Sequence, residues 1–257
     1  MSEKQEIIKT GRKMLKPDWR NFEVGQCDGN KGVKPLPLQK PFPIKSKIIK
    51  LIKFGETSCG NEPLPKVIAS RKSTRNYSDE YLSLEELSYL LWTTQGLREE
   101  ADEEGWGYYQ KVVPSAGGIH PFETYLYIDR VYGIAKGLYR YLPKEQGIIK
   151  VSAAEDSAVK LNKAMLKQLF GAAVVFLWSA TPYKMEWGYM EVAHKMIAIE
   201  AGHICQNLQL SAESINCGSC AISAYYQDEI DNLLGLDGED EFVIYIATVG
   251  KYNIENN

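Results

Sequence analysis

Long hydrophobic runs are missing from this chain. The longest, Ala172 to Trp178, is far too short to cross a bilayer, which takes about 20 apolar residues. Met1 to Lys13 is charged and has no apolar centre, unlike a secretory signal. An excess of basic charge is missing too. A formal net charge of −3 argues against nucleic acid as the main partner, because a strongly basic face would need an acidic one to offset it. Histidine is scarce: His194 and His203 fall on one expected helix at a spacing no metal selects, and His120 stands alone. The five cysteines are odd in number and irregular in spacing, which fits a reducing, cytoplasmic setting better than a disulfide framework. No Gly-x-Gly-x-x-Gly follows a strand, and the P-loop, His-Glu-x-x-His and Gly-x-Ser-x-Gly signatures are all absent. Cys217-Gly218-Ser219-Cys220 is a Cys-x-x-Cys, but it follows an expected helix rather than opening one, and no second pair completes a zinc site.

What is present is an ordinary globular composition, 44% hydrophobic and 25% charged over 257 residues, with ample surface to bury a core. Residues 1–62 differ from the rest. Pro17, Pro35, Pro37, Pro41 and Pro43 punctuate them, and Gly32 to Leu38 reads as extended, polyproline-like chain. We read 1–62 as a proline-rich N-terminal arm over a body at 63–257, pinned by Trp19, Phe22 and Phe42; a disordered tail is the rival reading. In the body, Ser83-Leu84-Glu85-Glu86 has capping-box spacing and predicts a helix to about Gln95, ended by Gly96. Strands are expected at Thr124–Asp129, Gly137–Pro143, Ile148–Val151, Ala172–Ser179 and Glu241–Val249. A second capping box, Ser152 to Glu155, predicts a helix to about Phe170. A long helix is expected from Tyr189 to Glu213, apolar at Val192, Met196, Ile199, Ile204, Leu208 and Ala212, and a short one over Asp228–Leu234. Mixed order of this kind predicts an α+β fold.

The most informative stretch is Arg71-Lys72-Ser73-Thr74-Arg75, placed by the sequence at the entry to a helical segment. If extended, it aims Arg71, Ser73 and Arg75 the same way, and a guanidinium is a planar fork that matches a phosphate.

Three segments together resemble the FMN-dependent nitroreductase family, most closely its SagB-type (thiazole/oxazole) dehydrogenase branch. They are Arg71 to Arg75; Pro114-Ser115-Ala116-Gly117-Gly118-Ile119-His120-Pro121; and Glu200 to Leu208, continuing through Cys217–Tyr225 to Val249-Gly250-Lys251. The resemblance covers roughly residues 62–251. It implies a central mixed, mostly antiparallel sheet flanked by helices, with a long central helix at a homodimer interface. FMN would lie between two subunits. Arg71 and Ser73 would hold its phosphate and ribityl end, and Arg75 the pyrimidine edge, where a cation favours the reduced, anionic flavin. Pro114, Ser115, Ala116, Gly117 and Gly118 would approach the ring from the other subunit. Cys220, Ala221, Ile222, Ser223 and Ala224 would lie on its other face, with main-chain N–H groups near Ser223 and Ala224 donating to flavin N5. Gln168 would meet its polar edge. Lys251 would reach the phosphate, with a surface lysine as the rival reading.

The activity implied is FMN-dependent hydride transfer from NAD(P)H to an electrophilic small molecule, without nucleic acid or membrane as partner. Trp106, Tyr108, Tyr109 and Trp187 would line the mouth or serve as core anchors. The alternatives are azoline oxidation in a modified peptide, with Lys184 as catalytic base, and FMN binding without turnover. The azoline-oxidising members carry a Lys-Tyr pair; here the matching positions are Lys184-Met185, and methionine cannot transfer a proton.

Overall fold

Strands in the middle of this chain alternate their side chains between two separate cores, which places a sheet between two helical layers. In the computed structural model, which describes residues 2–101, 108–152 and 156–253, the arm carries α1 (Glu3–Met14) and β1 (Ile48–Lys50). The body follows with α2 (Leu64–Ser70), α3 (Leu84–Gln95), β2 (Leu97–Ala101), β3 (Tyr108–Lys111), β4 (Phe122–Ile128), β5 (Gly137–Leu142) and β6 (Gly147–Ser152). Then come α4 (Ser157–Ala164), β7 (Val174–Ala180), α5 (Pro182–Tyr189), α6 (Ala193–Ser214), β8 (Cys217–Ile222), α7 (Gln227–Leu234) and β9 (Phe242–Lys251).

Seven strands form one sheet in the order β1-β6-β5-β4-β7-β9-β8, each pair antiparallel. Parallel pairing among the described residues is confined to isolated bridges such as Ser73 with Ser219. On β7, Val174, Phe176 and Trp178 enter one core with α3, α5 and α6, while Val175 and Leu177 enter the other with α4 and α7. Both faces are covered, so β4 and β7 are buried along their whole length.

Local signals explain where several elements begin and stop. The capping box at α3 is formed: the Ser83 hydroxyl accepts from the Glu86 N–H at 3.1 Å, and Glu86 accepts from the Ser83 N–H at 2.8 Å. Gly96 ends the helix as expected. The second expected capping box falls on 153–155, outside the described residues. Its helix stops at Ala164 rather than Phe170, because Leu166, Lys167 and Phe170 adopt φ of 54°, 63° and 53° and turn the chain left-handed. The long helix starts at Ala193, not Tyr189: Met190 at φ 42° separates α5 from α6. Ile199, expected on the inner stripe, is 49% exposed and shares the outer face of α6 with Gly202 and Gln206.

Polar contacts hold the arm across the body. Tyr183 donates to Asp28 at 2.7 Å, Trp187 Nε1 to the Val33 carbonyl at 2.8 Å, and Lys184 Nζ to the Leu38 carbonyl at 2.8 Å. The Lys40 N–H donates to Glu123 at 2.7 Å, Arg140 donates to the carbonyls of Lys40 and Pro41 at 2.9 and 3.0 Å, and Lys40 Nζ pairs with Glu241. Trp19 packs edge-on against Phe22 and Tyr189. Phe42 makes no ring pair among the described residues.

Candidate cofactor site

The basic strip lies at a helix exit, where the sequence reading put a helix entry. The seven residues of α2 are too few to show a period, and the Arg71 N–H closes the helix on the Val67 carbonyl at 3.0 Å. From there the chain runs extended beside β8, and the Thr74 N–H donates to the Ser219 carbonyl at 2.9 Å. The alternation holds only in part: Thr74 turns in, Ser73 and Arg75 are exposed and Arg71 is half-buried, but Lys72 is exposed where strict alternation would turn it in with Thr74. The close crossing depends on Gly218, where a Cβ would lie 2.6 Å from the Thr74 Cβ. No hydrogen bond or ion pair from another described residue engages either guanidinium. Two cations four residues apart on an extended strip, their Cα atoms about 13 Å from each other, have no counter-ion among the described residues and flank an exposed hydroxyl, which suits a phosphate-bearing ligand.

β8 supplies the other side of this corner. Cys217 and Cys220 sit three apart on the strand and so point into opposite cores. Burial pushes the Cys217 thiol up to about 12. It also raises Cys220, against the opposing pull of the Arg75 charge, which puts Arg75 within electrostatic reach of that thiol. Both are protonated walls, and among the described residues no group of three His, Cys, Asp or Glu is placed to hold a metal. Beyond β8, Gln168 Nε2 donates to the Ala224 carbonyl at 2.9 Å, tying the α4–β7 loop to the exposed Ser223-Ala224 turn. Lys251 stands opposite Cys217 in the ladder, and its amino group pairs with Glu86. Burial would lower its pKa, but the Glu86 bond and the nearby Cys217 hold it above the usual value.

The remaining expected residues form a second group. Ser115 to Gly118 turn tightly, with Gly117 at φ 60° and Gly118 at φ 67°, a conformation that favours glycine. Gly117 abuts Tyr189 so closely that a Cβ would lie 2.9 Å from the phenol oxygen. The Ser115 hydroxyl accepts from the His120 N–H at 2.9 Å. Lys184, on α5 beside this loop, is 7% exposed, and its Nζ lies 3.4 Å from Glu123 as well as bonding Leu38. Within one chain, no hydrogen bond or ion pair among the described residues joins this group to the strip.

A buried charge cluster lies behind the loop, and the sequence reading missed it. His120 Nδ1 faces Glu200 at 3.4 Å, and Lys111 Nζ donates to Gln95 at 2.5 Å. Burial takes the Lys111 amine down to about 8, with Lys184 acting in the same direction and Glu123 and Glu200 opposing. Gln95, Lys111, His120 and Glu123 lie within one short stretch but on different elements, and Lys184 and Glu200 come from helices much further on, so no motif spacing carried the signal.

Trp187 is taken up by the arm, its ring against Gly29. Trp106 lies outside the described residues, as do the side chains of Tyr108 and Tyr109. A separate cleft of about 390 Å³ between α2, α3 and α6 includes Tyr89, Trp92, Asn207 and Ser211 and none of the expected cofactor residues.

Comparison with known proteins places the fold and the family. The model of the nitroreductase family matches residues 68–251. A protein of Methanocaldococcus jannaschii, described as a candidate nitroreductase, is 32% identical over 190 residues, 73% of this chain and 90% of its own. A candidate nitroreductase from Ralstonia eutropha has the same fold, with a TM-score of 0.66 at 23% identity over 86% of this chain and 98% of its own. A chain of the E. coli microcin synthetase McbBCD complex, with truncated pro-MccB17 bound, matches at TM-score 0.60 and 16% identity over 98% of this chain and 95% of its own. A Desulfovibrio desulfuricans structure, a candidate nitroreductase in complex with FMN, matches at TM-score 0.51 and 17% identity over 77% and 90%. The antiparallel sheet with helices on both faces, the family match over most of the chain and the M. jannaschii relative lead to one conclusion: this chain belongs to the nitroreductase family.

Proposed function

We propose that the protein is a homodimeric, FMN-dependent oxidoreductase that takes hydride from NAD(P)H and reduces an electrophilic small molecule such as a quinone or nitroaromatic. The observation that carries this reading is the pair of guanidinium groups, Arg71 and Arg75, without a protein counter-ion beside exposed Ser73. The Arg71 fork and the Ser73 hydroxyl would bind the phosphate and ribityl end, each charged bond worth about 1.5–3 kcal/mol. Arg75, within reach of Cys220, would face the pyrimidine edge, and Cys220 to Ala224 would form one wall. Bound FMN would supply the hydride-accepting N5 and the two-electron chemistry.

The second group supports two subunits per site. Ser115–Gly118 has no bulk and left-handed glycines, which suits close approach to a flat ring, yet it bonds to nothing around the strip of its own chain. A loop contributed by a partner meets both facts. The outer face of α6, with Ile199, Gly202 and Gln206 turned outward, is the surface for that partner. Lys251, already paired with Glu86, would act on the phosphate at longer range.

Azoline oxidation is the second reading, favoured by the extension of the microcin synthetase match across the arm. Against it, the Lys184 amine is committed to Leu38 and Glu123, and Met185 follows it. A base needs a lone pair aimed at substrate. We assign Lys184 to anchoring the arm.

Rapid mixing of the purified yellow protein with NADH or NADPH under argon tests the main reading. Bleaching of the flavin band with at least one donor is expected; no bleaching with either refutes turnover.

A further inference from the structure

The arm does more than cover the body, because its first anchored residue ends in open aromatic surface. Trp19 packs edge-to-face at 5.3 Å on Phe22 and 6.4 Å on Tyr189, yet stays 52% exposed. Tyr189 in turn touches Gly117. Trp19, Tyr189 and the Ser115–Gly118 loop are therefore one continuous surface. Behind Trp19, the bonds of Tyr183 to Asp28, Trp187 to Val33 and Lys184 to Leu38 fix the arm to α5. A loosely attached tail would not need anchors at so many points along its length.

We propose that Trp19 is the acceptor-selecting wall of the flavin cleft, offering its ring to flat, electron-poor aromatic substrates. This rests on the reading above, in which Ser115–Gly118 borders the flavin. An indole face is electron-rich, so it complements the electron-poor ring of a quinone or nitroaromatic, and such pairs prefer stacked geometry. An acceptor without a ring gains nothing from it. The arm thus sets which acceptor is held, while the strip and β8 hold the cofactor. The step is unchanged: a quinone gains two electrons and two protons, supplied by NAD(P)H and one solvent proton, and leaves as hydroquinone.

The test uses the full-length, FMN-loaded protein with Trp19→Ala and Trp19→Phe. In Trp19→Ala, the KM for 1,4-naphthoquinone should rise roughly three- to tenfold, the range that aromatic pairing spans. Its kcat, and turnover with ferricyanide, should stay within about twofold, the pattern of lost uniform binding. Calorimetry with 2-naphthoate, flat but not reducible here, should show the same roughly three- to tenfold weakening without any turnover. Trp19→Phe should recover most of both. Equal shifts for naphthoquinone and ferricyanide, or no shift in KM and Kd, would overturn the wall while leaving the flavin reading intact. A wild-type protein that retains FMN but reduces neither acceptor, or that retains none, would bring down that reading and the wall together.

Discussion

Gly218→Ala tests the corner on which the proposed cofactor site is built. The strip crosses β8 where residue 218 has no side chain, and an added Cβ would lie 2.6 Å from the Thr74 Cβ and Oγ1 and 2.7 Å from its Cγ2. Ordinary carbon contacts need about 3.5–4.0 Å, so the two segments must part by about 1 Å. Neither side yields easily: Thr74 is 9% exposed and its N–H is bonded to Ser219, while β8 is laddered to β9 along its length. Overpacking of this kind costs about 1–3 kcal/mol, a fall in Tm of about 2–12 °C for a domain of this size. Displacement of Arg71 and Ser73 should also raise the Kd for FMN, by roughly tenfold if about 1.4 kcal/mol is lost. Differential scanning fluorimetry of the apoprotein and fluorescence titration with FMN measure the two effects separately. Gly25→Ala, where nothing lies within 4 Å, is the control. Thr74→Gly in the same chain removes all three offending atoms and should recover part of the loss. A Gly218→Ala protein with unchanged Tm and FMN affinity would refute the close-crossing argument.

Three further outcomes follow from the charges. Arg71→Ala should weaken FMN binding by roughly ten- to 150-fold, the loss of about 1.5–3 kcal/mol, while the apoprotein Tm stays put because no described protein partner loses a bond; equal FMN affinity would remove Arg71 from the phosphate site. Lys184→Met should cost up to about 3 kcal/mol by taking one cation from buried Glu123, with Lys111 and the Lys40 N–H left to it, and limited proteolysis should then cut the arm faster; wild-type stability would show that the pair anchors nothing. Lys111 titrates near 8 when folded and higher when unfolded. Between those values the unfolded chain holds the extra proton, so wild-type stability should rise relative to Lys111→Met, by up to about 1.4 kcal/mol per pH unit. Denaturant unfolding from pH 7 to 10 measures the difference, and parallel curves would contradict the burial argument.

Elements with strong local signals were legible in the sequence. Ser83 and Glu86 announced α3, the apolar run near Val174 announced a strand buried on both faces, and Gln227–Leu234 lay where a short helix was expected. Failures came where tertiary context decides. Leu166, Lys167 and Phe170 have no residue-level preference for left-handed backbone, so the end of α4 was misplaced. Ile199 looks like core by type and period, and only the packed layers reveal that it faces outward. The basic strip was readable, though Lys72 is exposed where strict alternation would bury it, and the pairing of Lys251 with Glu86 and of Lys184 with Glu123 joins residues too distant for any spacing to reveal.

One of the arm's anchors has a consequence for how the chain is made. Lys40 pairs with Glu241, 201 positions later, and Glu241 immediately precedes β9, which is inserted between β7 and β8 in the middle of the sheet. Contacts of such separation form late. The Lys40 latch therefore waits for Glu241, while the bonds from the arm to Glu123, Arg140 and α5 do not, and β8 joins the rest of the sheet only through β9. Placement of β9 thus closes both the platform and one fastening of the strap above it, so deletion of Glu241 and β9 should loosen the arm at Lys40, 201 positions away.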